Sequence, residues 1–375
     1  MSQRLNVLLV TDEMLPGGVA RHVTDLANGL LNRGVNVHVV ATDGPYTSRL
    51  ERRIAFKDAR LLRSGTYRKE GFGALETWGC LSDIMRRSNV NVIHTHKRYS
   101  DLIGRGIALT FRIPHISTCH NTFKGGRWLS RFGDHTIAVS EAIHQMLVSD
   151  FGKTGESVTT IKNEIPPLRS IRPGTLRALH REYRINDNAK IILGVAQFIP
   201  AKDHATLVQA LAIVRKRAPL PSWVCVLVGH GPLKESLEQR ISMMGLSDFV
   251  RFVPGTVDVE PLYNMAEFCV LASVRDGGIP YTIMEAASLK KPYVACSVGG
   301  IPEFISHNEN GILVPPREPT SFANALTDLL KDGAKVKRLG NRAYVYYNKY
   351  HSSRGFVLKT IEVYKKVLQS KSPRR

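Results

Sequence analysis

Cysteine is scarce in this 375-residue chain, and no long apolar run is present. The cysteines lack Cys-x-x-Cys spacing and most have apolar neighbours, so we expect buried, reduced thiols rather than disulfides or zinc ligands. They are Cys80, Cys119, Cys225, Cys269 and Cys296. No segment approaches the ~20 apolar residues of a membrane-spanning helix. The N-terminus enters an apolar strand, Val7–Val10, without the apolar region of a signal peptide, which favours a cytoplasmic protein.

Acidic residues are also in deficit, because 32 Asp and Glu face 52 Lys and Arg, for a net charge of +20. Residues 331–375 hold 13 Lys and Arg against 2 Asp and Glu, and Arg49–Lys69 holds 8 against 2. Zinc-finger, RRM-like and KH-like motifs are missing, so nucleic acid is disfavoured as a partner. An anionic membrane surface is favoured, since each basic residue near it gains ~1 kcal/mol. The alternative is solvated helix faces and a disordered tail, Ser370–Arg375.

The length suits two domains, and the composition of 43% apolar and 22% charged residues is typical of globular proteins. The first half begins as a βαβ unit with strand Val7–Val10, helix Arg21–Arg33 and strand Val35–Ala41, which predicts a parallel sheet. Gly17 and Gly18 follow the first strand and permit close approach of a ligand to the backbone. Their spacing is not G-x-G-x-x-G, so a nicotinamide site is disfavoured.

Residues 49–72 are basic and are predicted to be irregular. Strand His115–Cys119 places His120 at its carboxyl end, where α/β sheets bind their ligands. The proline-rich segment Pro166–Pro173 predicts an interdomain linker. After it, strands and helices alternate again, from strand Lys190–Gln197 onward.

The most informative stretch is Ser273–Glu303, which reads SVRDGGIPYTIMEAASLKKPYVACSVGGIPE. It follows the apolar strand Phe268–Ala272 and predicts a glycine-rich turn, a helix, a short strand and a Gly-Gly turn. Such a turn presents backbone N–H groups and a helix N-terminus to a phosphate. Glu285 on the helix is suited to accept hydrogen bonds from ribose hydroxyls. The pattern indicates a nucleotide site; the alternative is an ordinary βα unit with a surface glutamate.

This stretch resembles the donor-binding signature of the family 4 retaining glycosyltransferases of the bacterial cell-surface polysaccharide and lipopolysaccharide type. The resemblance is carried by Gly277-Gly278-Ile279-Pro280, Glu285-Ala286, Lys291–Ala295 and Gly299–Glu303. The segment GGVARHV, which begins at Gly17, matches the first glycine-rich loop of that family.

The resemblance implies the α/β GT-B fold, in which two Rossmann-like parallel-sheet domains face each other across a cleft. We therefore predict an acceptor-side domain at 1–168 and a nucleotide-sugar-binding domain at 169–345. A terminal segment at 346–375, with helices over Tyr344–Gln369, is expected to cross back to the N-terminal domain.

The resemblance also implies roles for individual residues. Lys202 neutralises the donor diphosphate, Glu285 holds the ribose, and His120, at a Thr-x-His-Asp position, lies beside the sugar; these three are the predicted catalytic residues. Two positions depart from the family: Gln197 replaces an arginine that also holds the diphosphate, and Gly277 replaces a glutamate, with Asp276 one residue earlier. The full predicted donor site is Gly17, Gly18, Gln197, Asp276, Gly277, Gly278, Ile279, Pro280, Tyr281, Thr282 and Glu285.

The function implied is transfer of a hexose-type sugar, with retention, from a nucleotide-diphosphate donor to a glycan or lipid-linked acceptor in cell-surface polysaccharide or lipopolysaccharide synthesis. No cofactor and no obligatory metal are expected, because Lys202 and a helix N-terminus replace the ion. The expected location is cytoplasmic, on the inner face of the cytoplasmic membrane. Two alternatives remain open: a GT-B sugar-nucleotide epimerase, and a non-catalytic member whose donor site has degenerated at 197 and 277.

Overall fold

The computed structural model describes residues 4–59, 73–123, 125, 132–217, 219–256, 258–352 and 355–371. The chain forms two units, which we call unit 1 (residues 1–163 with 354–375) and unit 2 (residues 164–353). Part of the basic cluster Arg49–Lys69 and most of the tail Ser370–Arg375 lie outside the described residues.

Each unit contains one sheet whose neighbouring strands are all parallel. The strands are β1 (Asn6–Glu13), β2 (Asn36–Thr42), β3 (Ala55–Asp58), β4 (Val92–His96), β5 (His115–Cys119), β6 (His135–Ala138) and β7 (Val158–Thr160) in unit 1, and β8 (Lys190–Val195), β9 (Trp223–Gly229), β10 (Val250–Pro254), β11 (Phe268–Leu271), β12 (Tyr293–Cys296) and β13 (Ile312–Val314) in unit 2. Parallel strands are covered on both faces, which explains why most of them are short continuous apolar runs.

Helices connect most of the strands within each unit. They are α1 (Gly18–Leu31), α2 (Gly73–Arg87), α3 (Arg98–Phe111), α4 (Glu141–Ser149), α5 (Pro173–Glu182), α6 (His204–Arg215), α7 (Lys234–Met243), α8 (Glu260–Met265), α9 (Tyr281–Ser288), α10 (Pro319–Lys331), α11 (Gly333–Tyr350) and α12 (Gly355–Lys371). The predicted pair of Rossmann-like parallel-sheet domains is confirmed.

The order of the strands fixes where each unit can bind a ligand. In unit 1 it is β3-β2-β1-β4-β5-β6-β7, and in unit 2 it is β10-β9-β8-β11-β12-β13. In both, the direction of winding reverses beside the first strand of the unit, between β1 and β4 and between β8 and β11. Ligands of open α/β sheets bind at the carboxyl ends of the strands beside such a reversal. The loops that follow these four strands are therefore where a site is expected.

The prediction that residues 49–72 are irregular is wrong for Ala55–Asp58, which form β3 at the edge of the sheet of unit 1. The strand is short, and two of its residues are charged and exposed. An edge strand needs no continuous apolar run, because only part of it is buried, and so it gives little periodic signal.

The segment Pro166–Pro173, predicted as a linker, lies along unit 2. Backbone N–H groups in it donate to side chains of α8 and α9: Leu168 to Ser288 Oγ at 3.2 Å and Ile171 to Asn264 Oδ1 at 3.3 Å. The preceding Ile165 is fully buried, and its carbonyl accepts a hydrogen bond from the Tyr347 hydroxyl at 2.9 Å. Prolines lack N–H groups, but their neighbours here supply enough donors to fix the segment.

The last helix, α12, belongs to unit 1 and not to unit 2, which confirms that the C-terminal helix crosses back to the N-terminal domain. Its Tyr364 is fully buried, and the phenolic oxygen lies 2.7 Å from Nδ1 of His94 on β4. Gly29 of α1 leaves room for α12, because a Cβ at that position would come within 2.6 Å of a methyl group of Val357. The helix before it, α11, remains in unit 2.

The five cysteines are free thiols, four of them buried, as predicted. Among the helices of the described residues, none combines the length and the apolarity that a membrane span requires.

Candidate functional site

In unit 2 the loop after β11 is held in place by backbone contacts with two other loops. The Val274 N–H donates to the Ala201 carbonyl at 3.0 Å, and the Gly300 N–H donates to the Gly277 carbonyl at 2.9 Å. A Cβ on Gly299 would lie 1.8 Å from the Asp276 carbonyl oxygen, and the φ of Gly299 is +53°. The predicted Gly-Gly turn is thus required by close backbone packing as well as by conformation.

The only salt bridge that joins the loops after β8 and β11, among the described residues, pairs Lys202 with Asp276. Lys202 Nζ lies 2.5 Å from Asp276 Oδ1, and the two side chains are 19% and 12% exposed. The pair spans the point at which the winding of the sheet of unit 2 reverses. Sequence analysis placed both residues in the donor site but did not predict that they pair.

Helix α9 begins directly after this loop, with Pro280 at its N-cap in an extended conformation. The first N–H groups of a helix have no acceptor within the helix and point toward its N-terminus, where an anion is stabilised. Tyr281 and Thr282 occupy this first turn, and Ile279 just before it is buried. The helix therefore starts where the sequence predicts, with its positive end at the ligand-binding edge of the sheet.

Glu285 lies on α9 and is 4% exposed, among buried tyrosines. Burial raises the pKa of Tyr263 well above its usual value, and the nearby Glu285 carboxylate raises it further. Burial is likewise the main cause of the raised pKa of Tyr293. A buried carboxylate needs hydrogen-bond donors, and the Tyr263 hydroxyl beside Glu285 is one of them.

Gln197 lies on the loop after β8 and is partly buried, and its carbonyl accepts a hydrogen bond from the Ile199 N–H at 2.9 Å. Gly277 and Gly278 lie on the loop after β11, where the Gly299-Gly300 turn packs against their backbone. All the donor-site residues predicted in the second half of the chain thus lie on the loops after β8 or β11 or on α9. The structure gathers them at one edge of one sheet.

In unit 1 the structure places His120 in a cluster of three histidines. His96 Nδ1 lies 3.1 Å from His120 Nε2, and the rings of His22 and His120 meet edge to face with centroids 4.8 Å apart. Gly17 and Gly18 begin the helix that carries His22, so the predicted glycine loop and His120 are brought to the same edge of the sheet of unit 1.

Sequence analysis missed His22 and His96. His96 ends β4 as His120 follows β5, and neighbouring parallel strands bring such ends together; the pairing of His96 with Thr118 shows this register. His22 follows Gly18 by about one helical turn. Both signals could have been read from the sequence, once strands β4 and β5 were recognised as neighbours.

The cluster is uncharged at neutral pH. Burial lowers the pKa of His22 to about 4, against a smaller opposing effect of its hydrogen bond to Asn163. Burial is also the main cause of the pKa values of His96 and His120 lying well below the usual range, with the neighbouring imidazoles adding to it. Neutral imidazoles can both donate to and accept from sugar hydroxyls.

Asn163 orients the cluster, since its Oδ1 lies 3.1 Å from Nδ1 of His22. His94, in contrast, has a structural role: its two ring nitrogens lie 2.7 Å from the Tyr364 hydroxyl and 2.6 Å from the Thr118 hydroxyl. His22, His96 and His120 are also the one group of His, Cys, Asp and Glu in the described part of the chain whose donor atoms, within 4.8 Å of one another, are close enough to hold a metal ion.

Two family models match the chain. That of the glycosyl transferases group 1 matches residues 177–346, and that of glycosyltransferase family 4 matches residues 16–167. Together they cover every candidate site residue described above and all strands of the two sheets except β1.

Relatives of similar length are found as well. The chain is 25% identical over 341 residues to N-acetyl-alpha-D-glucosaminyl L-malate synthase of Bacillus anthracis, covering 87% of this chain and 88% of the relative. It is 27% identical over 391 residues to an uncharacterized glycosyltransferase of Methanocaldococcus jannaschii, covering 96% and 98%. The solved structure of Anabaena HepE with UDP and glucose is similar, with a TM-score of 0.83, 20% identity and coverage of 96% and 100%. This likeness confirms the predicted GT-B fold.

We predict that acidification destabilises the protein through the buried cluster of unit 1. An unfolded histidine titrates near 6.5 and His22 near 4, so the unfolded chain binds the additional proton between these values and stability falls as the pH is lowered through them. His22 alone should cost about 2 kcal/mol of unfolding free energy between pH 7 and pH 5. Urea denaturation at both pH values measures this.

The matched comparison is between His22→Gln, which should reduce the loss on acidification, and His307→Gln, which changes an exposed histidine of unit 2. Equal losses in the wild type and His22→Gln would contradict the assignment of a buried neutral imidazole at this position.

Proposed function

Because the chain belongs to the family 4 glycosyltransferases, of the GT-B fold, we propose that it transfers a hexose-type sugar from a nucleotide-diphosphate donor to a glycan or lipid-linked acceptor. The transfer is proposed to retain the anomeric configuration and to serve cell-surface polysaccharide or lipopolysaccharide synthesis. Family membership establishes a group 1 glycosyltransferase; donor sugar, acceptor and stereochemistry are the parts proposed here.

The observation that carries the proposal is the arrangement at the reversal point of unit 2. A lysine, the N-terminus of a helix and a buried glutamate lie in sequence along the loops after β8 and β11. A sugar nucleotide contains a diphosphate and a ribose. The diphosphate requires a cation and backbone amides, and the ribose hydroxyls require a hydrogen-bond acceptor. The relative solved with UDP and glucose supports the same class of donor.

In this proposal Lys202 neutralises the departing diphosphate. Negative charge develops on this leaving group in the transition state. The backbone amides around Ile279, Tyr281 and Thr282 hold the phosphate and the sugar, assisted by the dipole of α9. Glu285 accepts hydrogen bonds from the ribose hydroxyls. Gln197, Asp276, Gly277, Gly278 and Pro280 shape the loop against which the donor lies.

Unit 1 is proposed to contribute Gly17, Gly18 and His120. As a neutral imidazole, His120 steadies the sugar near the reacting carbon without adding a charge that would oppose the developing oxocarbenium ion. His96 and His22 fix the position of its ring by direct contact. Their role is therefore positional.

Retention is proposed to proceed by attack on the face from which the nucleotide departs, so that no pair of carboxylates at glycosidase spacing is needed. The anomeric proton coupling of the first-formed product, measured by NMR, decides this. A product of inverted configuration would exclude the proposed stereochemistry while leaving the donor site intact.

We predict that the chain binds a nucleoside-diphosphate sugar through Glu285. A calorimetric panel of UDP- and GDP-sugars should identify at least one ligand, and Glu285→Ala should weaken its binding about 30-fold, since the lost charge-assisted hydrogen bonds contribute about 2 kcal/mol. Glu285→Gln preserves the packing of the buried site and should weaken binding less.

The control for this experiment is Glu309→Ala, which removes an exposed carboxylate of unit 2 and should bind as the wild type does. Urea midpoints of all variants separate loss of binding from loss of folding. If no nucleotide sugar in the panel binds to the folded wild type, the proposed function is wrong.

We expect transfer to need no divalent ion, because Lys202 and the N-terminus of α9 supply the positive charge. The rate of transfer after dialysis against EDTA should therefore equal that of untreated protein. If EDTA abolishes transfer and zinc or manganese restores it, the expectation fails, and His22→Ala then tests whether the histidine cluster is the metal site.

Docking to an anionic membrane is proposed for unit 1, where helices α2 and α3 expose apolar side chains. Leu75 and Leu109 are 72% and 67% exposed, and Trp78 and Leu102 are partly exposed beside them in sequence. Arginines flank these residues on both helices, namely Arg86, Arg87, Arg98, Arg105 and Arg112. Apolar and basic side chains together favour the interface of an anionic bilayer.

The chain should sediment with vesicles that contain anionic lipid, less so at high salt, and only weakly with neutral vesicles. Leu75→Glu combined with Leu109→Glu should reduce the bound fraction several-fold. Met243→Glu is the matched control, because Met243 is 80% exposed but lies on α7 of unit 2. If the chain sediments equally with anionic and neutral vesicles, the proposal is wrong.

A further inference from the structure

A cavity of about 560 Å³ opens at the ligand-binding edge of the sheet of unit 2. Its walls come from the loops after β8, β11 and β13. The lining residues are Pro200, Ala201, Val274, Arg275, Pro316 and Arg317. This volume is within the range that binds small molecules.

The walls of this cavity are rigid. The Val274 N–H donates to the Ala201 carbonyl at 3.0 Å, which ties the loop after β11 to the loop after β8. Proline at 200 and at 316 restricts the backbone on two sides. Arg317 itself adopts a left-handed φ of +62°, a conformation that a residue with a side chain seldom adopts. Arg317 therefore lies in a loop with a left-handed backbone conformation and not in a helix or a strand.

The charge of the cavity is positive. Arg275 and Arg317 are the ionised side chains that line it, and none of the lining residues has a carboxylate. The nearby Lys202 is paired with Asp276 at 2.5 Å, so the two together add no net charge until a ligand displaces the carboxylate. Asp203, which follows Lys202, caps α6, because its carboxylate accepts a hydrogen bond from the Thr206 N–H at 3.3 Å. The two guanidinium groups are therefore the ionised groups on the cavity wall, and the exposed Glu318 follows Arg317 in the chain.

The cavity is continuous in sequence with the pair already described. Ala201 precedes Lys202, and Arg275 precedes Asp276. Lys202 and Asp276 themselves do not line the cavity. Gln197, which follows the same strand as Lys202, offers no positive charge in the place where the resembling family has an arginine.

We propose that this cavity is a phosphate-binding site, with Arg275 and Arg317 as its ligands. Guanidinium groups bind phosphate through paired, charge-assisted hydrogen bonds. The phosphate belongs either to the diphosphate of the donor or to a separate phosphorylated substrate; the first source rests on the proposed function, whereas the site itself does not.

The test is calorimetric titration of the full chain with pyrophosphate, UDP, inorganic phosphate and glucose 6-phosphate. Arg275→Ala and Arg317→Ala should each weaken binding of pyrophosphate roughly tenfold or more, as expected for a lost charged hydrogen bond. Arg338→Ala is the matched control, because it removes one exposed arginine from α11 and changes the net charge equally. Unchanged urea midpoints verify that the variants fold.

The two sources of phosphate give different results. If the donor diphosphate occupies the cavity, UDP loses affinity together with pyrophosphate, and Gln197→Arg in the Arg275→Ala background restores it. If a separate substrate occupies the cavity, glucose 6-phosphate or inorganic phosphate loses affinity while UDP does not. Either result supports the site.

The proposal is overturned if Arg275→Ala and Arg317→Ala bind all four ligands as Arg338→Ala does. That outcome is independent of the proposed function, because nucleotide sugars would still bind in a manner that depends on Glu285. Conversely, arginine-dependent binding of pyrophosphate without binding of any nucleotide sugar supports the phosphate site and refutes the donor assignment.

Discussion

Backbone packing between two glycine-rich turns is the constraint on which the site of unit 2 depends. The turn at Gly299-Gly300 touches the backbone of residues 276–279 so closely that a Cβ on either glycine would overlap it. This contact sets the path of the loop after β11, and the loop in turn sets the place where α9 begins. Asp276, which pairs with Lys202, lies in the part of the loop that this contact holds. Glycine there is a requirement of packing, and its contribution to ligand binding is indirect.

The two units prepare their functional side chains in opposite electrostatic ways. In unit 1 burial holds three imidazoles neutral, so that a polar cluster is placed at the edge of the sheet without a net charge. In unit 2 basic and acidic side chains lie at the corresponding edge, as in the salt bridge Lys202–Asp276. This difference agrees with the proposed roles, in which unit 1 contacts the neutral sugar and unit 2 binds the anionic nucleotide. It also explains why acid is expected to affect the first unit more.

Sequence patterns predicted the alternation of strands and helices, the parallel sheets and the glycine-rich loops, because buried apolar runs and paired glycines act locally. Strand β5 has the predicted bounds, His115–Cys119. What was missed depends on contacts distant in sequence. His22, His96 and His120 meet only because strands β1, β4 and β5 are consecutive in the sheet. The segment Pro166–Pro173 is held by side chains of α8 and α9, which accept from the N–H groups of Leu168 and Ile171. The edge strand β3 lacked an apolar run, so periodicity could not reveal it.

The two departures from the family pattern have a common electrostatic consequence. With Gln197 in place of arginine, Lys202 is the cation nearest the end of β8, and Asp276 already neutralises it. A diphosphate that binds there must compete with this carboxylate, unless other positive groups compensate. Arg275 lies next to Asp276 in sequence and lines the adjoining cavity with Arg317. The same loop therefore carries the acid that restrains Lys202 and a cation able to offset it. The departures at 197 and 277, together with the carboxylate of Asp276, therefore redistribute the charge of the site and do not abolish it.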